Sequence, residues 1–157
     1  MKKTDFKEIG EELSENDIKK IELIIGKRFP EELKNHYMKY NGGVSKRKYF
    51  IKENGVTLEI KKFLQMKQSI DNRMTVKNCF LQGQSRDYFP SELIPFAIDH
   101  GGNYFVIDAN DGKIFFYAID AWDDDLTNEQ NKDKAKKCLC NSFYEFIEKL
   151  SSKKGNY

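Results

Sequence analysis

Several features that mark specialised protein classes are scarce in this sequence. Cysteine is one: Cys79, Cys138 and Cys140 are few and odd in number, which speaks against the disulfide framework of a small secreted fold. Reduced thiols in a cytoplasmic protein are the expectation. Long apolar runs are also lacking. The longest, Ile114 to Ile119, is far short of the roughly 20 residues of a membrane span. Charge of one sign is not in excess, since 27 Lys and Arg face 25 Asp and Glu for a net +2, and no basic block exceeds three residues. Nucleic acid and anionic membrane are therefore not expected as partners, because both favour concentrated Lys and Arg. Met1 to Asp5 leads into more charge rather than an apolar stretch, so no signal peptide is expected.

What is there suits one globular domain. The chain has 157 residues, 39% of them hydrophobic and 33% charged, which predicts a modest core under a well-solvated surface. Twelve Phe, eight Tyr and one Trp supply much of that core, since aromatics bury the most area per residue. The abundance of Lys, Asn and Ile resembles AT-rich coding bias and hints at a bacterial source. A single domain over 1–157 is expected, with its core over about residues 14–150.

Ser14-Glu15-Asn16-Asp17 resembles a capping box, and Ile18, Ile21 and Ile25 follow at helical spacing, with Leu23 and Ile24 widening the stripe. Gly26 is the expected stop. Pro30 suits a second helix start, Leu33, Tyr37 and Tyr40 line its inner face, and Asn41-Gly42-Gly43 ends it. Tyr49 to Ile51 and Thr57 to Ile60 read as a hairpin around Asn54-Gly55. Met66, Ile70 and Met74 predict a helix within Phe63 to Phe80, and Gln82 to Pro90 reads as loop. Leu93 to Ile98, Tyr104 to Asp108 and Lys113 to Ala118 form an antiparallel meander, with Pro95 favouring an edge or end position. Such a sheet is expected to pack one face on helices and have the other partly covered. Asn128 to Lys137 reads as polar and helical, Ser142 caps a last helix bearing Phe143, Phe146, Ile147 and Leu150, and Ser151 to Tyr157 is expected to fray.

No catalytic constellation stands out. His36 falls next to Tyr37 and reads as solvated helix surface, and His100 as a polar turn residue. There is no Gly-x-Ser-x-Gly elbow and no Cys with an evident His partner in sequence. Cys138-Leu139-Cys140 is too closely spaced for the usual zinc knuckle and reads as packing thiols. Asp123-Asp124-Asp125 lacks the Gly and terminal Glu of a calcium loop. Gly101-Gly102-Asn103 reads as a tight strand connection rather than a phosphate cradle. No metal and no cofactor are expected, and the charge-rich Lys46-Arg47-Lys48 and Arg86-Asp87 read as ordinary surface.

Four blocks together carry a resemblance. FPEELKNHYMKYNGG (Phe29 to Gly43), LIPFAIDHGGNYFVID (Leu93 to Asp108), GKIFFYAID (Gly112 to Asp120) and NSFYEFIEKL (Asn141 to Leu150) resemble, in order and spacing, the SMI1/KNR4 family of the SUKH superfamily. Phe29 stands where that family usually has Leu. Ala118-Ile119-Asp120 lacks the Trp and His-Glu features that many members carry there, although Trp122 and Asp123 follow. The resemblance implies an α+β fold with a central, largely antiparallel sheet flanked by helices. It also implies an immunity protein that binds and neutralises a cognate bacterial toxin, often a nuclease, without chemistry of its own. The alternative is a regulatory or adaptor binding module of the same fold; a small hydrolase would need His100 or His36 brought beside a nucleophile.

For a protein partner, the residues themselves offer one surface. Trp122 amid Asp120, Asp123, Asp124 and Asp125 would suit a basic partner, as an aromatic anchor with a negative surround. Trp122 packing against the sheet end is the competing reading. Asp99, His100 and Asn103, at the turn of the meander, are the next candidate. The oligomeric state is left open.

Overall fold

In the computed structural model, residues 5–67 and 74–154 are described. Helix α1 (Glu15–Ile25) begins at a reciprocal cap, in which Ser14 Oγ accepts from the Asp17 amide and the Asp17 carboxylate accepts from the Ser14 amide. It ends at Gly26, whose φ of 73° closes the last turn. Ile18, Ile21 and Ile25 are buried, but Leu23 and Ile24 are 83% and 54% exposed. The apolar stripe is thus narrower than the sequence suggested, because 100° per residue carries Leu23 to the far side of the helix from Ile18 and Ile21.

Helix α2 (Glu31–Lys39) follows Pro30 and buries Leu33, His36 and Tyr37. After it, Asn41 does more than end a helix. Its amide donates to the carbonyls of Glu11 and Lys67, and its oxygen accepts from the Met66 amide. Gly43 sits at φ 105° with its Cα against the Lys7 carbonyl, an approach that lets β1 (Phe6–Lys7) pair with β2 (Val44–Ser45).

Strands β3 (Tyr49–Ile51) and β4 (Thr57–Glu59) form the hairpin around Asn54-Gly55. Their third strand is β10 (Leu150–Ser151), paired with β3. Leu150 and Ser151 are therefore sheet residues rather than a frayed end, and 155–157 lie outside the described residues. Phe63 belongs to β5 (Lys62–Phe63), not to a helix. Helix α3 (Val76–Ser85) starts later, where Thr75 Oγ1 accepts from the Asn78 amide. It runs on into the stretch expected as loop. The Met66 and Met74 spacing misled, and Ile70 lies outside the described residues. Met66 is buried outside any helix, while the N-cap Thr75 sets the true start.

The main sheet has five antiparallel strands in the order β5-β6-β7-β8-β9, with β6 (Leu93–Ile98), β7 (Tyr104–Asp108), β8 (Ile114–Tyr117) and β9 (Lys136–Cys140). Pro95 lies in an inner strand rather than at an edge. It is tolerated because β5 reaches only Ala97 and Ile98, and the β6–β7 register shifts between Pro95 and Ala97. Helix α4 (Asn128–Ala135) leads into β9, and α5 (Phe143–Lys149), capped by Ser142, runs into β10.

Alternation along the strands divides the core in two. Ile94, Phe96, Phe105, Ile107 and Ile114 pack with α1, α2 and α5 in the larger cluster. Leu93, Val106, Phe115 and Tyr117 point the other way, where Phe89, Ala135 and the partly buried Tyr104, Ile119 and Trp122 cover them. Gly83 permits that cover, since a side chain there would collide with the Phe89 ring. The chain is an α+β fold with a central antiparallel sheet flanked by helices.

Candidate functional site

The two candidate regions of the sequence meet at one end of the sheet. Asp99 Oδ1 accepts from the amides of Gly101 and Asn103, and its Oδ2 from the Asn103 side chain. These bonds set the β6–β7 turn. Asn103, 4% exposed, then accepts from the Asp120 amide through its own oxygen at 3.0 Å. One buried side-chain amide thus ties the turn at 99–103 to the 3-10 turn Ile119–Ala121 that follows β8. Asn103 is a strap holding the surface rather than part of it. His100 stays exposed, with Nε2 at 2.8 Å from Glu59 Oε2 on β4, linking the turn to the hairpin sheet.

Trp122 packs against the sheet end, as the competing reading expected. It is half-buried against the cluster on the second face, and its ring meets that of Tyr88 edge-on, with centroids 5.1 Å apart. Asp123 is occupied structurally: its carboxylate accepts from the Asp125 amide, and its backbone is held by Asn131. Asp120, Asp124 and Asp125 are exposed, and none forms an ion pair among the described residues. Three exposed carboxylates, unpaired among the described residues, thus lie within three positions of a half-buried aromatic residue in the chain. Opposite charge on a partner would be drawn there through solvent, and the ring could be desolvated on contact.

Residue type gave no hint of several supporting groups. Asp87, expected as ordinary surface, adopts φ 57° and accepts from Asn128 Nδ2 at 2.9 Å and Lys132 Nζ at 2.7 Å. The Lys132 ammonium, then Asn128, hold its carboxyl below the usual range. The following Tyr88 carbonyl accepts from the Tyr117 hydroxyl. A usable signal existed for the α4 start, because Thr127 and Gln130 form a reciprocal cap of the kind read at Ser14.

The histidines are placed apart. His36 is buried, not solvated: at 7% exposure it lies among the rings of Phe6, Tyr40, Phe63 and Phe143, with centroids 5.0–5.8 Å away. Desolvation, then the Lys39 charge, pushes its pKa down to about 3. Burial raises the thiol of Cys79 to about 11 and that of Cys140 to about 12, the reverse of what a nucleophilic cysteine needs. Cys138 is exposed and Cys140 buried on the same strand, because the β8–β9 register shifts between Ile114 and Phe115. A hollow of about 450 Å³ lies beside Ile9, Met38, Tyr40 and Asn41, with no histidine or cysteine in its lining. Among the described residues, no three His, Cys, Asp or Glu side chains are grouped to hold a metal ion, and no helix is long and apolar enough to cross a membrane.

No curated protein matches the chain. The model of the SMI1 / KNR4 family (SUKH-1), however, matches residues 12–149, a span that takes in both helices of the N-terminal pair, the whole five-stranded sheet and α5. On that match, in the order and over the length the four sequence blocks implied, the chain belongs to the SMI1/KNR4 family (SUKH-1).

Proposed function

We propose that the protein is an immunity protein, which binds a cognate bacterial toxin in the cytoplasm and blocks it stoichiometrically, with no reaction of its own. Membership of a family that includes immunity proteins supports this reading. The observation that carries the binding face is that Asp120, Asp124 and Asp125 are exposed and unpaired among the described residues in the same short segment as half-buried Trp122. A basic protein, such as a nuclease, is the partner that charge distribution fits. Long-range attraction would speed encounter, and burial of the Trp122 ring would slow release.

If a toxin gene lies beside this one, co-expression with its product, scored by survival, tests the function; no protection by the intact protein would refute it. A housekeeping gene neighbourhood would favour the adaptor reading. Binding kinetics test the face. Asp120, Asp124 and Asp125 changed together to Asn should lower the association rate, with the loss shrinking as salt screens the charges. Trp122→Ala should raise the dissociation rate by a factor corresponding to about 2 kcal/mol. Unchanged kinetics in both variants, with folding intact, would move the interface to the turn at Asp99 and His100.

A further inference from the structure

Helix α4 lacks what normally holds a surface helix to its protein. Its sequence, NEQNKDKA, buries only Asn131 and Ala135, so there is no apolar stripe to anchor it. Its polar side chains instead reach the two segments on either side of Trp122. On one side, Asn131, 2% exposed, accepts from the Asp123 amide at 2.9 Å and donates to the Asp123 carbonyl at 2.8 Å. A single side-chain amide thereby fixes both backbone groups of the residue next to the ring. On the other side, Asn128 and Lys132 both hold the Asp87 carboxylate, and the adjacent Tyr88 sets its ring edge-on to Trp122.

We infer that α4 is a polar bracket that presets the Trp122 ring and the carboxylates of Asp124 and Asp125 for a partner, with Asn131, Asn128 and Lys132 as its positioning residues. This inference rests on the reading of that face as the partner surface. A loop of exposed acids would otherwise lose its freedom on binding, and that ordering would be subtracted from affinity. Held from both sides beforehand, it meets a partner as a rigid surface. The bracket explains why a buried asparagine and a paired lysine occupy a helix that contributes little to the core.

Trp122 is the only tryptophan in the chain, so emission excited at the red edge of its absorption, where tyrosine does not absorb, reports this ring alone. The experiment compares wild type with Asn131→Ala, with the pair Asn128→Ala/Lys132→Ala, and with all three changes. Alanine raises helix propensity at each position, so α4 is not lost for local reasons. The acrylamide quenching constant should rise about twofold in the triple variant, with a red-shifted emission, while far-UV dichroism stays native. Unchanged emission and quenching in the folded triple variant would overturn the bracket. If Asn131→Ala does not fold, the Asn128/Lys132 pair gives the same reading from the other side. Association with a toxin against which the intact protein protects in co-expression should slow in whichever variants loosen the ring. A loosened ring with unchanged association would instead remove the partner face from this end of the sheet and leave the bracket as a purely structural device.

Discussion

His36 should make this protein acid-sensitive well above the pH at which its carboxylates protonate. In the folded chain its pKa is pushed down to about 3, first by desolvation, whereas the unfolded chain titrates near 6.5. Between those values the unfolded state binds more protons than the native one, so stability is fully present above pH 6.5 and falls as pH drops towards 3. At 1.36 kcal/mol per pH unit, acidification from pH 7 to pH 5 should remove about 2 kcal/mol. That is a large share of a typical total of about 5–15 kcal/mol. The paired carboxyls of Asp17 and Asp87 also have lowered values, but their stabilisation is lost only below the ordinary carboxylate pKa of 3.8, outside this window. Urea denaturation at pH 7 and pH 5 measures the loss directly. The control is His36→Phe, which places another ring among Phe6, Tyr40, Phe63 and Phe143. It also removes Nε2, a buried nitrogen without a hydrogen-bond partner among the described residues. This variant should match or exceed wild type at pH 7, since an unsatisfied buried polar atom costs about 1–3 kcal/mol, and should lose most of the slope between pH 7 and 5. Equal slopes in the two proteins would refute the burial argument.

Three other outcomes follow from the packing. Phe146 is fully buried and stacks on Phe50 with edge contacts to Phe96, so Phe146→Ala should cost about 3–5 kcal/mol in urea denaturation; a wild-type midpoint would mean that α5 is not core. The Tyr37 hydroxyl donates to the carbonyls of Leu64 and Phe96 from a fully buried site, so Tyr37→Phe should destabilise by about 1–3 kcal/mol, and an unchanged midpoint would deny those bonds. Of the three free thiols only Cys138 is exposed. A thiol-specific reagent should therefore label one group quickly in the native protein and all three after denaturation; rapid labelling of Cys79 or Cys140 would contradict their burial.

Much of the architecture was legible in the sequence because it is decided over short distances. The Ser14 cap, the Gly26 stop, the Asn54-Gly55 hairpin and the Ser142 cap each depend on groups within about four residues of one another. The meander was legible from its apolar runs and turn residues for the same reason. His36 was legible in principle, since Leu33, His36, Tyr37 and Tyr40 form an i, i+3, i+4, i+7 stripe; reading it by residue type rather than by position hid its burial. The candidate surface was half legible. Its acids and its tryptophan are consecutive in the chain, but what fixes them is not: Asn103 meets Asp120 across 17 positions, Asn131 meets Asp123 across 8, and Lys132 meets Asp87 across 45. These bonds join the β6–β7 turn to the segment after β8, and α4 to the segments after β8 and after α3, elements that only the packed fold places side by side. A hydrogen bond needs its atoms within about 3 Å, and no local pattern of residue types encodes which distant groups the packed core will place at that distance.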